Sequence, residues 1–151
     1  MSRQRIVVLD RMHRLASLAE REVERVLLLC RGEVQRLEAQ RRDLDAEEDH
    51  HRRRREDVLQ DSDHLECGRA LEVVALRRSA VNRQMAEARQ RRTEAEQIFA
   101  QRRRSTEQIG SLRSRVVAAE HCVEDRREQQ QSDDLFERRR QTRYGGGIKN
   151  L

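Results

Sequence analysis

The sequence predicts an all-α protein in which two long helices fold back on each other as an antiparallel coiled-coil hairpin, and three observations carry that prediction. Apolar residues recur every seven positions at Leu9, Ala16, Val23, Cys30, Leu37 and Leu44, and the series continues through His51, Val58 and Leu65. A second series runs Val74, Val81, Ala88, Ala95, Arg102, Ile109, Val116 and Val123. Seven-residue spacing keeps one stripe of a helix turned toward a partner helix. The 151 residues contain no proline, so neither helix meets the residue that removes a backbone donor and clashes with the preceding turn.

Taken in order, the elements are a first arm over about residues 3–65, a turn at about 66–72, a second arm over about 73–143 and a glycine-containing tail, 144–151. Asp61, Ser62, Asp63 and Gly68 form the only cluster of breaker residues in the middle of the chain, and Asp63 with Glu66 has capping-box spacing. Matching the apolar segments puts Val23 and Val26 opposite Val116 and Val123, and Leu9 opposite Leu135. Each arm of about 60 residues is roughly 90 Å long at the helical rise, so the expected molecule is a single elongated rod. Three successive glycines, Gly145 to Gly147, end the second helix, and the residues beyond are either a frayed end or a docking peptide built on Ile148 and Leu151.

The seam reads as uneven. Near the termini the intervening positions are also apolar, at Met12, Ala19 and Val26 in the first arm and Leu112 and Ala119 in the second. Halfway along they are Glu33, Gln40, Glu47 and Arg54, facing Gln84, Arg91 and Ser105. This predicts tight packing at the termini and looser packing in the middle.

With 40% charged, 35% hydrophobic and 2% aromatic residues, the chain has too little apolar material for a broad core or a walled catalytic pocket. There is no glycine-rich phosphate loop, no Ser/His/Asp set and no carboxylate pair framed by apolar walls, so the reading assigns no catalytic residue and no cofactor. The 33 basic residues, all arginine except Lys149, stand against 28 acidic ones for a formal net charge of +5. Glu and Arg alternate at helical spacing, as in a solvated face laced with i,i+4 pairs. Three arginine runs, Arg52–Arg55, Arg102–Arg104 and Arg138–Arg140, lack the interleaved aromatics of a nucleic-acid surface and are flanked by acids, so an acidic protein surface is the better partner.

Cys30, Cys67 and Cys122 are an odd number without paired spacing, which points to a reducing compartment. Asp61, Asp63, His64 and Cys67 would gather around zinc only in a tight turn, and no second Cys or His pair stands at ligand spacing, so no metal is assigned. No stretch approaches the ~18 apolar residues of a membrane span, and the interrupted Ile6–Leu9 run is too short for a signal peptide, so a cytoplasmic protein without membrane insertion is expected.

The opening segment, Arg5-Ile6-Val7-Val8-Leu9-Asp10-Arg11, then Val26-Leu27-Leu28-Leu29-Cys30-Arg31 and the Glu/Gln/Arg-rich stretch from Leu37 to Leu44, resembles the start of the central stalk proteins of type III secretion systems. These form the SctO group, with SpaM/InvI-like members and relatives in YscO and flagellar FliJ. The likeness in residue detail covers about the first 45 positions; over the rest it is one of architecture. The resemblance implies a non-enzymatic hairpin at the cytoplasmic, inner-membrane base of the secretion apparatus, inserted into the hexameric secretion ATPase and linking it to the export gate protein. It also implies binding of secretion chaperones, for which Leu27, Leu28 and Leu29 beside Val26 offer a spare stripe. Under this reading Arg11, Arg14, Arg126 and Arg127 face the ATPase, and Leu71, Val73 and Leu76 face the gate. The competing expectation is a parallel homodimeric coiled-coil scaffold or spacer, which the same heptads would serve but which has no reason to carry breakers at Asp61–Gly68.

Overall fold

The structure, a computed structural model, describes residues 2–145. It is all-α: α1 spans Ser2–Asp57 (56 residues) and α2 spans Asp61–Gly145 (85 residues), with no strand among the described residues. Arg54 and Arg55 lie in the last turn of α1, and Asp61 and Asp63 in the first turn of α2, each charge opposing the partial charge of its helix end.

The reversal occupies residues 58–60, not 66–72, so the first arm ends eight residues earlier than the heptad reading put it. Asp61, Ser62, Asp63 and Gly68 are helical, and the Asp63/Glu66 spacing does not open the helix. Its first bond beyond the turn is donated by the His64 amide to the Gln60 carbonyl at 3.2 Å, which makes Gln60 the N-cap. The acidic cluster is a helix-start signal of the right kind, but its place is inside the first turn, where carboxylates meet the exposed amides. At the other end α2 continues through Tyr144 to Gly145. The remainder of the proposed tail, 146–151, with the choice between frayed end and docking peptide, lies outside the described residues.

The chain divides into two compact units. The turn unit is Ser17–Arg104; the terminal unit joins the described residues up to Ala16 to those from Ser105 onward.

In the turn unit, ion pairs connect Glu48 with Arg78 at 2.5 Å, Glu38 with Arg89 at 3.2 Å, Glu33 with Arg91 at 3.1 Å and Arg31 with Glu96 at 3.5 Å. Partner numbers on α2 rise as those on α1 fall, the order two oppositely running neighbours produce. The core lies between these pairs. Val34 and Leu37 pack with Met85 and Ala88, and Leu44 packs with Val74 and Val81. Leu27, Cys67 and Ala95 are also buried, and no polar side chain is buried among the described residues.

In the terminal unit, Asp10 accepts a bond from the Arg113 guanidinium, and His13 lies over Gly110, where an added Cβ would meet its ring Nε2 at 3.3 Å. Leu9 shares a groove with Leu112 and Val116 rather than pairing with Leu135, which is exposed. The earlier turn accounts for this: moving the reversal toward the N-terminus shifts every pairing on α2 by the same sense. No hydrophobic residue of this unit is buried among those described, so the expected order of packing, tight termini and loose middle, is inverted.

The inversion has a specific cause in the seam. Coiled-coil positions alternate by three and four residues, so a seven-residue series can be completed on either side. The structure completes it at the fourth residue, through Leu27 and Val34 in α1 and Met85 in α2, which are buried. The third-residue line is mostly outside: Met12, Val26, Gln40, Gln84, Arg91, Ser105, Leu112 and Ala119 are exposed.

Candidate interaction surfaces

The described residues bring together no group of three or more His, Cys, Asp or Glu side chains able to hold a metal ion. Of the four turn residues considered for zinc, Asp61 and Asp63 are exposed, His64 is half-buried and Cys67 is buried in the core. No described helix is long and apolar enough to cross a membrane.

The predicted seam residues sort by unit. In the turn unit Leu37, Leu44, Val81 and Ala95 are buried, while Val23, Cys30 and Val58 are half-buried. In the terminal unit Leu9, Ala16, Ile109 and Val116 are half-buried, and Val123 is exposed, a departure from its seam assignment. Leu65 also leaves the seam and is exposed, because the heptad frame restarts after the turn with Cys67 as its inward residue. His51 keeps its half-buried seam position, 3.8 Å from the Glu47 carboxylate and edge-on to His50 with ring centroids 5.6 Å apart.

Arg11, Arg14, Arg126 and Arg127, all in the terminal unit, are exposed. From residue 121 to residue 143 every position of α2 is exposed, Leu135 and Phe136 included. A helical segment exposed on all its faces is held as a helix by its continuity with the preceding turns and by local charge pairs alone, which contribute a few tenths of a kcal/mol each.

The turn unit carries the other exposed apolar set. Leu59 in the turn is 100% exposed, and Leu65, Val73 and Leu76 project from α2. Leu65 and Leu76, eleven residues apart, fall on nearly one line of the helix, with Val73 at its side. Leu71 is half-buried and lines a shallow concavity with Arg52, Arg55, Glu56 and His64. Of the leucine triplet, Leu27 is consumed by the core while Leu28 and Leu29 are exposed with Val26, so the spare stripe on α1 is narrower than the composition of 26–29 indicates.

One feature was missed in the sequence. Val8, Met12 and Leu15 follow each other at four and three residues on α1, one residue out of phase with the inward series, and all three are exposed. On α2, Leu112 and Ala119, seven residues apart, are likewise exposed beside half-buried Val116. Gln4, Arg5, Val8 and Leu9 of α1 with Leu112 and Val116 of α2 enclose a mainly apolar groove of about 490 Å³. Met12, Leu112 and Ala119 read in the sequence as the second line of the seam, while Val8 and Leu15 carried no assignment.

No family model, curated protein or solved structure matches this chain.

Proposed function

We propose that this protein is the non-enzymatic central stalk of a type III protein secretion apparatus, standing at the cytoplasmic, inner-membrane base of that machine, with its terminal unit in the pore of the hexameric secretion ATPase. The observation that carries the reading is the inequality of the two helices. α2 has 85 residues against 56 in α1, and the surplus appears as a stretch, 121–143, exposed on every side and dense in arginine and carboxylate. A lone charged helix is a slender probe for a narrow ring, and a single asymmetric element meets each of six subunits differently. Such differential contact is what coupling requires, because a partner shifts an equilibrium only through unequal affinity for its states.

In this reading Arg11, Arg14, Arg126 and Arg127 make the contacts with the ATPase, and the exposed Val73 and Leu76, with Leu71 beside them, meet the export gate protein. Val26, Leu28 and Leu29 remain as a surface for secretion chaperones. The seam residues buried within the chain, Leu37, Leu44, Val74 and Val81 among them, are already committed, which disfavours the parallel homodimeric spacer.

The test is the ATP hydrolysis rate of the secretion ATPase encoded by the same genome, titrated with this protein, with molar mass by light scattering. Stimulation saturating near one chain per six ATPase subunits, and lost in an Arg126→Glu/Arg127→Glu variant, is the expected result. An unchanged rate together with a dimeric mass would return the protein to the spacer reading. For the gate, a Val73→Asp/Leu76→Asp variant that keeps its helicity should stimulate the ATPase normally yet fail to support secretion; normal secretion would remove the gate assignment.

A further inference from the structure

The terminal unit holds an open apolar groove whose borders are all of one charge. Val8 is 54% and Leu112 51% exposed, and they line the groove with Leu9 and Val116, while Met12 and Leu15 on α1 and Ala119 on α2 are exposed at heptad spacing from this apolar lining. On helical spacing Arg11 stands three residues after Val8 and four before Leu15. Arg115 stands three after Leu112 and four before Ala119. Each is exposed, and each flanks the apolar line on the side away from the neighbouring helix, while Arg5 lines the groove itself. The nearest carboxylates do not offset them: Asp10 is paired with Arg113, and Glu120 is half-buried beside Val116.

An apolar line on each of two adjacent helices, with a trough between, is the surface a third helix completes: its own apolar stripe enters the trough and its flanks meet the borders. The borders decide the occupant. A second copy presenting this same face would set arginine against arginine. The exposed 121–143 segment of a second copy fits no better, since its acids are matched by Arg126, Arg127, Arg138, Arg139, Arg140 and Arg143 and it has no seven-residue apolar repeat. A helix with carboxylates on both sides of an apolar stripe satisfies trough and borders together.

We infer that the groove between α1 and α2 of the terminal unit docks one acidic amphipathic helix of a partner protein, its apolar stripe between Val8 and Leu112 and its carboxylates on Arg5, Arg11 and Arg115. The inference rests on the reading of the terminal unit as the partner-facing end and names the chemistry of what it meets there.

The probe is a synthetic helix of about 20 residues with leucine at heptad spacing and glutamate on both flanks, compared with a twin carrying lysine on the flanks. Titrated calorimetrically against the full chain, the glutamate peptide should bind at least about tenfold more tightly than its twin and weaken as salt is raised. Leu112→Asp and Arg11→Glu/Arg115→Glu variants, with helicity checked by circular dichroism, should each lose about tenfold or more. The arginine variant lies on exposed positions, and its retained helicity separates a lost contact from unfolding. Equal affinity for the two peptides, no binding, or binding that survives both variants overturns the proposal. So does a dimeric mass that Leu112→Asp makes monomeric, which would give the groove to a second copy. Because no ATPase is present in the titration, peptide binding without ATPase stimulation would remove the stalk and keep the groove, and stimulation without peptide binding would do the reverse.

Discussion

The turn unit and the terminal unit are made from the same two helices and nearly the same alphabet, yet only one of them has a core. In the turn unit ten apolar side chains are buried, with Leu37 and Val74 each 1% exposed; in the terminal unit none among the described residues falls below the half-buried class. The difference lies in which heptad line faces the neighbour. Where the fourth-residue line is apolar, at Leu27 and Val34 and again at Met85, both lines of the seam close and the helices pack. Where that line is polar, with His13 on α1 and Arg113 and Glu120 on α2, only one apolar line points inward, and the apolar residues of the third-residue line are left outside. Apolar content is therefore a poor guide to burial in a coiled coil, because phase decides whether a leucine is core or surface.

Several measurements would break or sharpen this contrast. The largest expected effect is in amide hydrogen exchange: amides of residues 34–44 and 74–88 should be protected about a hundredfold or more beyond those of 121–143, since local opening costs least where nothing is packed. Equal protection along α2 would erase the distinction between the units. Next in size, Leu37→Ala should lower the unfolding free energy by about 2–5 kcal/mol, by the lost transfer energy and the cavity left behind. Leu9→Ala, at a half-buried position, should cost under about half as much in the same denaturant titration. Smaller again, Arg78 bridges Asp45 at 3.2 Å and Glu48 at 2.5 Å across the helices, but it is a third exposed. Arg78→Ala should cost about 0.5–1 kcal/mol, with a Glu48→Gln double-mutant cycle showing coupling that fades as salt rises. An effect of similar size but opposite sign is expected at one glycine, and the smallest at another. An added Cβ at Gly32 meets nothing within 4 Å, so Gly32→Ala should stabilise the turn unit by about 0.5–1 kcal/mol. Gly110→Ala gains the same helix propensity but presses on the His13 ring and should show little net change in melting temperature.

The surfaces were legible to unequal degrees. Arg11, Arg14, Arg126 and Arg127 are exposed as a charged helix face leads one to expect, and Val73 and Leu76, outside the heptad series, are exposed as well. The groove of the terminal unit was not found, although Val8, Met12 and Leu15 stand at heptad spacing in plain view. Met12 reads equally well as the third-residue partner of Leu9, and no local property of α1 says which of the two lines α2 will cover.

The sequence by itself determined the secondary structure of this protein: proline-free heptads, charged residues at helical spacing and acids where a helix begins are properties of neighbours along the chain, and they yield two long helices wherever the chain is placed. It also determined one line of the seam, since Leu37, Leu44, Val81 and Ala95 are inward in any pairing that uses their series. The place of the reversal was decided only by tertiary structure. Residues 58–60, Val58-Leu59-Gln60, carry none of the glycine, proline, asparagine or aspartate that announces a turn, and the chain reverses there because that register sets Val34 and Leu37 against Met85 and Ala88. Register, the second seam line and the apolar face left uncovered all follow from that one choice, and a choice made by contacts between residues fifty positions apart leaves no mark on either stretch alone.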